Sequence, residues 1–297
     1  MNLGRLYTAM ITPMDDNQKV DYQKSAELAN YLIDNGSDGV VVAGTTGEAP
    51  LLTYAEKIEL FKVVKEAVGN KGHVIAGTGG NETVEAVDMT RDAQEIGCDG
   101  AMLVVPYYNK PPQELIYKHF KMVAEVSKEI PIILYNVPGR TSMNMLPETT
   151  ARLAAEFDNI VAIKEASADI GQVMDIKKLT NNNLAILSGD DPMTLPFMSI
   201  GGHGVISVAA HVAGKEIKQM ISSYLAGDVE YARKINDKLY PIYKAMFLTT
   251  NPIPVKTAMN LLGHESGIMR MPMELASGKV LEDLKQALID YGLTIKE

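Results

Sequence analysis

Eight short apolar runs, each followed by a longer amphipathic stretch, most tightly limit what this 297-residue chain can fold into. The runs are 6–11, 39–42, 73–77, 100–104, 132–135, 161–164, 184–188 and 204–208. The stretches between them (22–34, 54–68, 83–96, 113–127, 147–157, 170–179, 192–200 and 212–226) carry apolar residues at helical spacing on one side. Strands buried on both faces read as continuous apolar runs, whereas a helix covering them shows a period near 3.6, so the alternation predicts parallel βαβ units. Eight units in about 225 residues fit a (β/α)8 TIM barrel of the α/β class, because doubly wound sheets usually stop at about five to seven strands.

Beyond residue 226 the strand pattern ends, and 229–247, 254–262 and 281–291 read as three helices. The expected organisation is therefore a catalytic barrel over 1–226 and a C-terminal helical domain over 227–297. A hydrophobic content of 46% supplies a core for a barrel of this size. The formal net charge of -9, without a Lys/Arg-rich run, argues against a nucleic-acid partner and for small molecules. Cys98 is the only cysteine, so no intramolecular disulfide can form. The N-terminal apolar run is too short for a signal peptide, and no segment reaches the roughly 20 apolar residues a membrane helix needs. The expectation is a soluble cytoplasmic protein that does not bind membranes.

Barrel active sites lie at the C-terminal ends of the strands, and here those ends are polar. They read Gly44-Thr45-Thr46-Gly47-Glu48, Pro106-Tyr107-Tyr108-Asn109, Tyr135-Asn136-Val137-Pro138-Gly139-Arg140, Ala162-Ile163-Lys164-Glu165-Ala166 and Ser188-Gly189-Asp190-Asp191. Lys164 follows Ile160-Val161-Ala162-Ile163, so it projects from a strand otherwise built for burial. Burial disfavours the charged form of an amine, and a neutral amine can attack a ketone to form a Schiff base. Side chains alternate along a strand, so a Lys164 that points into the barrel sends Glu165 the other way. In isolation, a lysine at a strand end is more often one that snorkels to water. Thr45, Tyr108 and Tyr135 add hydroxyls that can both donate and accept protons, as imine formation requires. Singly, the threonine reads as a helix cap and the tyrosines as rim residues. Arg140 offers a planar fork for a carboxylate, or else lies on the surface.

Other patterns point nowhere firm. Gly77-Thr78-Gly79-Gly80 begins like a dinucleotide fingerprint, but Glu82 stands where the third glycine belongs. His73, His119, His203, His211 and His264 lack metal-ligand spacing. Asp190 and Asp191 read more readily as caps for the next helix than as cation ligands. Neither metal nor cofactor is expected.

The strand-end motifs together with Tyr107-Tyr108-Asn109-Lys110-Pro111, Gly204-Val205-Ile206-Ser207-Val208 and Asn251-Pro252-Ile253-Pro254-Val255-Lys256 resemble the dihydrodipicolinate synthase family over nearly the whole chain. The resemblance implies a metal-independent lyase of the class I pyruvate aldolase type. It would condense pyruvate with L-aspartate 4-semialdehyde to 4-hydroxy-tetrahydrodipicolinate, the committed step of diaminopimelate and lysine biosynthesis. Lys164 would form the imine, with Thr45, Tyr108 and Tyr135 as the proton relay. Thr46 and the backbone around Gly189 and Ile206 would hold pyruvate, and Arg140 the semialdehyde carboxylate. Tyr108 would enter a neighbouring subunit's site, making a homo-oligomer, usually a dimer of dimers, obligatory. The alternative within the superfamily is another Schiff-base aldolase, such as N-acetylneuraminate lyase or a 2-keto-3-deoxy sugar acid aldolase. A catalytically silent barrel would have lost Lys164 or the relay hydroxyls, and all are present.

In lysine-inhibited family members the effector sits at positions matching Ala49, Pro50, Tyr54, Lys57, Asn81, Glu85 and Tyr107. Ala49 replaces the serine of many members, and Lys57 replaces the usual His or Glu. Two like charges about 4 Å apart cost roughly 1 kcal/mol in water-like surroundings and about 4 kcal/mol at a partly buried interface, so free lysine is expected to inhibit weakly or not at all.

Overall fold

The computed structural model describes residues 3–296. In chain order its elements are β1 (Leu6–Ala9), α1 (Tyr22–Asp34), β2 (Gly39–Val42), α2 (Tyr54–Val68), β3 (His73–Gly77), α3 (Thr83–Ile96), β4 (Gly100–Val104), α4 (Gln113–Val126), β5 (Ile132–Asn136), α5 (Pro138–Thr141), α6 (Pro147–Glu156), β6 (Ile160–Glu165), α7 (Ile170–Leu179), β7 (Ala185–Ser188), α8 (Thr194–Ser199), β8 (Gly204–Ser207), α9 (Ala210–Leu225), α10 (Val229–Ala245), α11 (Ile253–Leu261) and α12 (Gly278–Tyr291). The eight strands are neighbours in sequence order around a closed barrel, and the expected (β/α)8 architecture is the one observed. Every strand is almost wholly buried, as continuous apolar runs demand.

By backbone contacts the chain forms two compact units. One comprises His73–Ile206 with the segment ending at Arg5, and the other Leu6–Gly72 with the segment beginning at Ser207. In the first, β4 to β7 pair in parallel with their sequence neighbours, and Tyr135 and Asn136 of β5 stand opposite Lys164 and Glu165 of β6. In the second, β1 pairs with β2, and the C-terminal helices pack together, α10 against α9 and α12 and α11 against α12. No described helix is long and apolar enough to cross a membrane.

Helix starts follow from local chemistry. Asp21 accepts a hydrogen bond from the backbone N–H of Lys24, and Asp169 one from Gln172. Thr53 and Glu56 form a reciprocal capping box at α2. Such caps typically contribute about 1 kcal/mol each.

Differences from the sequence reading are local. β6 runs one residue further at each end than 161–164, so Glu165 belongs to the strand. β1 stops at Ala9, short of Ile11. The stretch 192–200 divides into a 3-10 turn, Asp191–Met193, and the short α8. The loop after β5 holds the unexpected four-residue α5, opened by Pro138, whose fixed φ suits a first helical position.

Candidate active site

In the unit containing β3 to β7, Lys164 and Tyr135 are register partners on adjacent strands. Both are buried, Lys164 at 5% exposure, and the lysine Nζ lies 4.3 Å from the Tyr135 ring centroid. A snorkelling lysine would carry its amine into water, so this reading fails for Lys164. The ring face is electron-rich and favours a cation above it. Gly189, at the end of β7, leaves room for the lysine stem: a Cβ there would lie 3.2 Å from Lys164 Cε and 2.6 Å from Ala166 Cβ. Its N–H donates to the Glu165 carbonyl at 2.8 Å. Lys164, Tyr135 and Gly189 are thus brought together, with Ile206 buried in β8.

Arg140 is exposed on α5. Tyr108 is 88% exposed, with a left-handed φ of 69°. A non-glycine residue held in that conformation costs on the order of 1 kcal/mol or more, and such strain concentrates at functional positions. Asn109 ties this loop down, its side-chain amide donating to Asn81 O at 2.9 Å. Glu85 lies in the first turn of α3. Burial, with the Glu85 carboxylate second, pushes the Tyr107 phenol up. Asp190 makes no side-chain capping bond, so the cap reading fails for it. Burial and then Asp191 push its carboxyl up to about 6.

In the other unit Thr45 and Thr46 share the turn after β2. Thr45 is half-buried and heads no helix, because the cap of α2 is Thr53. Thr46 is buried, and its hydroxyl accepts from the Asn251 amide at 3.0 Å. Ala43 and Glu48 bracket the turn with φ of 52° and 58°. The Thr12 hydroxyl donates to Gly47 O at 2.7 Å, where a Cβ on Gly47 would approach Met10 O to 3.0 Å. Glu48 is fully buried and accepts from the Lys256 ammonium at 2.7 Å; that ammonium also donates to Thr12 O at 2.8 Å. Ala49 and Pro50 form the 3-10 turn Ala49–Leu51, and Tyr54 and Lys57 lie in the first turn of α2.

Sequence reasoning missed Lys256 as a structural charge, although a lone lysine among Ile253, Pro254, Val255, Ala258 and Met259 was a readable sign. It also missed what Glu165 holds. Among the described residues, no group of three or more His, Cys, Asp or Glu side chains could hold a metal ion.

The model of the Dihydrodipicolinate synthetase family matches residues 2–290. A curated 4-hydroxy-tetrahydrodipicolinate synthase of Heliobacterium modesticaldum is 51% identical over 293 residues, covering 99% of this chain and 97% of that one. Its counterpart in Desulforamulus reducens is 48% identical, covering 99% of both. The crystal structure of the Cyanidioschyzon merolae enzyme with lysine bound superposes with a TM-score of 0.96 at 45% identity, covering 98% of each chain.

Proposed function

The chain belongs to the dihydrodipicolinate synthetase family, and on that premise we propose that Lys164 is its imine-forming residue. The enzyme is a lyase, a 4-hydroxy-tetrahydrodipicolinate synthase, condensing pyruvate with L-aspartate 4-semialdehyde in the diaminopimelate route to lysine. One observation carries the assignment of Lys164: a lysine buried at a strand end, its amine 4.3 Å from the ring of Tyr135, its partner in register.

The amine of Lys164 adds to the pyruvate ketone, and the carbonyl oxygen leaves as water, giving an iminium. Loss of a methyl proton gives an enamine, whose carbon attacks the semialdehyde's aldehyde carbon while the aldehyde oxygen gains a proton. The substrate's own amine then adds to the C=N carbon, and Lys164 leaves as the ring closes. Each step moves a proton, which a hydroxyl can deliver and recover. Tyr135, with Thr45 and Tyr108, is assigned to that task. Thr46, Gly189 and Ile206 are assigned to pyruvate and Arg140 to the semialdehyde carboxylate, which suits a guanidinium fork. No metal or cofactor is needed for this chemistry.

Exposed, strained Tyr108 supports a homo-oligomer in which it reaches a second copy, in a dimer of dimers; sedimentation of the purified chain would distinguish tetramer, dimer and monomer. Residues 1–226 are assigned as the catalytic barrel and 227–297 as a helical appendage, in a cytoplasmic enzyme.

The test is reduction with borohydride in the presence of pyruvate. One reduced pyruvate per chain on Lys164 is expected, with Lys164→Ala folded and inactive. Label on another residue refutes the assignment. Ala49, Pro50, Tyr54, Lys57, Asn81, Glu85 and Tyr107 are proposed effector positions, with Lys57 opposing the effector's own ammonium. Half-inhibition by free lysine below 1 mM, roughly the concentration at which an effector binds with only about 4 kcal/mol, would show that Lys57 points elsewhere.

A further inference from the structure

Glu165 follows the candidate nucleophile directly, faces the opposite side of β6, and is fully buried. A buried carboxylate is costly unless its oxygens are satisfied. No ion pair serves it among the described residues. Instead, one oxygen accepts from Ser167 N–H at 2.7 Å and the other from the Gln172 amide at 3.0 Å, while the Asn136 amide spans both at 3.2 and 3.0 Å. Asn136 is its register partner, just as Tyr135 is that of Lys164. Two adjacent rungs of β5 and β6 therefore carry the reacting pair on one side and a charge-assisted hydrogen bond on the other.

The network continues into the loop that carries Arg140. The Asn136 carbonyl oxygen of the side chain accepts from Met145 N–H at 3.0 Å, and its amide also donates to Asn144 at 2.7 Å. Asn144 in turn donates to the Gln172 oxygen at 2.8 Å and accepts from the Gln172 amide at 3.1 Å. The orientations are forced in sequence. Met145 N–H fixes which way Asn136 faces, Asn136 then fixes Asn144, and Asn144 fixes Gln172. Each chain of donors ends on Glu165, so only an acceptor at both oxygens completes the set.

We propose that Glu165 is a positioning residue for the reaction, holding Lys164 against Tyr135 and anchoring the Arg140 loop from the outward side of the strand. The proposal rests on the reading of Lys164 as the imine-forming lysine. A glutamine at 165 has the same shape but presents an amide to Ser167 N–H or to the Gln172 amide, donor against donor. The strand ends must then shift, and displacements near 1 Å at a reacting pair can cost about a hundredfold.

The experiment compares wild type with Glu165→Gln in steady-state kinetics and in the rate of pyruvate-dependent borohydride trapping at Lys164, with melting curves as the check on folding. A folded variant is expected to lose about tenfold to a hundredfold in kcat and in trapping rate, while KM for pyruvate moves less than about threefold. A folded Glu165→Gln with kcat and trapping rate within threefold of wild type overturns the proposal. Should that variant not fold, Gln172→Met removes one donor to Glu165, together with the two bonds Gln172 shares with Asn144, at similar volume; a slower trapping rate supports the proposal and an unchanged one overturns it. Wild type that is not trapped at Lys164 refutes the Schiff-base assignment itself, a failure distinct from trapping that is insensitive to position 165.

Discussion

Glu48 and Glu165 are both fully buried carboxylates beside candidate site residues, yet they are satisfied in opposite ways. Glu48 takes a full countercharge from Lys256, with a further N–H from Arg270 at 3.3 Å. Glu165 takes only neutral donors, all from residues 136–172. The ion pair joins segments 208 residues apart and concentrates its energy in one contact. The amide cage joins residues close in sequence and spreads its energy over several, each specifying an orientation. One arrangement fastens the Thr45-Thr46 turn to the C-terminal helices, and the other tunes two neighbouring strand ends.

The sharpest way to break this contrast is Lys256→Met. Methionine nearly fills the space but leaves Glu48 charged and buried, and breaking a buried pair from one side typically costs about 3–5 kcal/mol. The urea midpoint should fall accordingly. Burial already pulls the Lys256 ammonium down, and Glu48 opposes that effect. In Glu48→Gln/Lys256→Met the loss should be smaller than in Lys256→Met alone. A double variant as unstable as the sum of two single variants would mean that the pair is not coupled.

Glu165→Gln should cost less, about 1–3 kcal/mol for one mismatched buried donor. It should harm catalysis more than its stability loss suggests, because orientation is what it disturbs. A loss as large as that of Lys256→Met would erase the distinction between the two sites.

How much of this was legible beforehand depended on range. β2, β3, β4 and helices α1, α2, α3 and α7 match the sequence-derived bounds, because period and cap chemistry are local signals. Lys164 was readable from its apolar run, and the outward direction of Glu165 from strand alternation. The partners of Glu165 were not, since they depend on the β5–β6 register and on a loop conformation. Lys256 finding Glu48 is a tertiary fact with no trace in periodicity. α5 was missed because four residues show no period.

The smallest effect is expected where burial leaves a group neutral and only partly satisfied. Each unit buries one histidine that burial holds down at about 4, His119 in α4 and His211 in α9. Below 6.5 the unfolded chain takes up protons that the fold refuses until about 4. Protonation therefore costs the fold nothing above 6.5, and the cost grows as pH falls toward 4, to roughly 3 kcal/mol for each. Asp190 acts in the opposite sense, since a carboxyl pushed up to about 6 takes its proton in the fold first. The two histidines differ in their bonds. His211 accepts from Ile11 N–H at 3.1 Å and has Val208 O at 2.8 Å from its other nitrogen. His119 has Thr83 Oγ1 at 3.0 Å from Nδ1, while its buried Nε2 has no partner among the described residues. His119→Phe removes an unsatisfied nitrogen and keeps a ring edge-on to Phe120, now 5.1 Å away. The half-buried Thr83 hydroxyl it orphans can turn to water. At pH 7 the change should shift stability by less than about 1 kcal/mol, the lost and gained terms being of similar size. Between pH 6.5 and 4 the variant should lose less stability than wild type, whereas His211→Phe should already be destabilised at neutral pH by orphaning two backbone groups. Urea melts of the three proteins at pH 7 and 5 decide it. An unchanged acid slope in His119→Phe would mean that His119 takes up its proton in the fold as readily as in the unfolded chain.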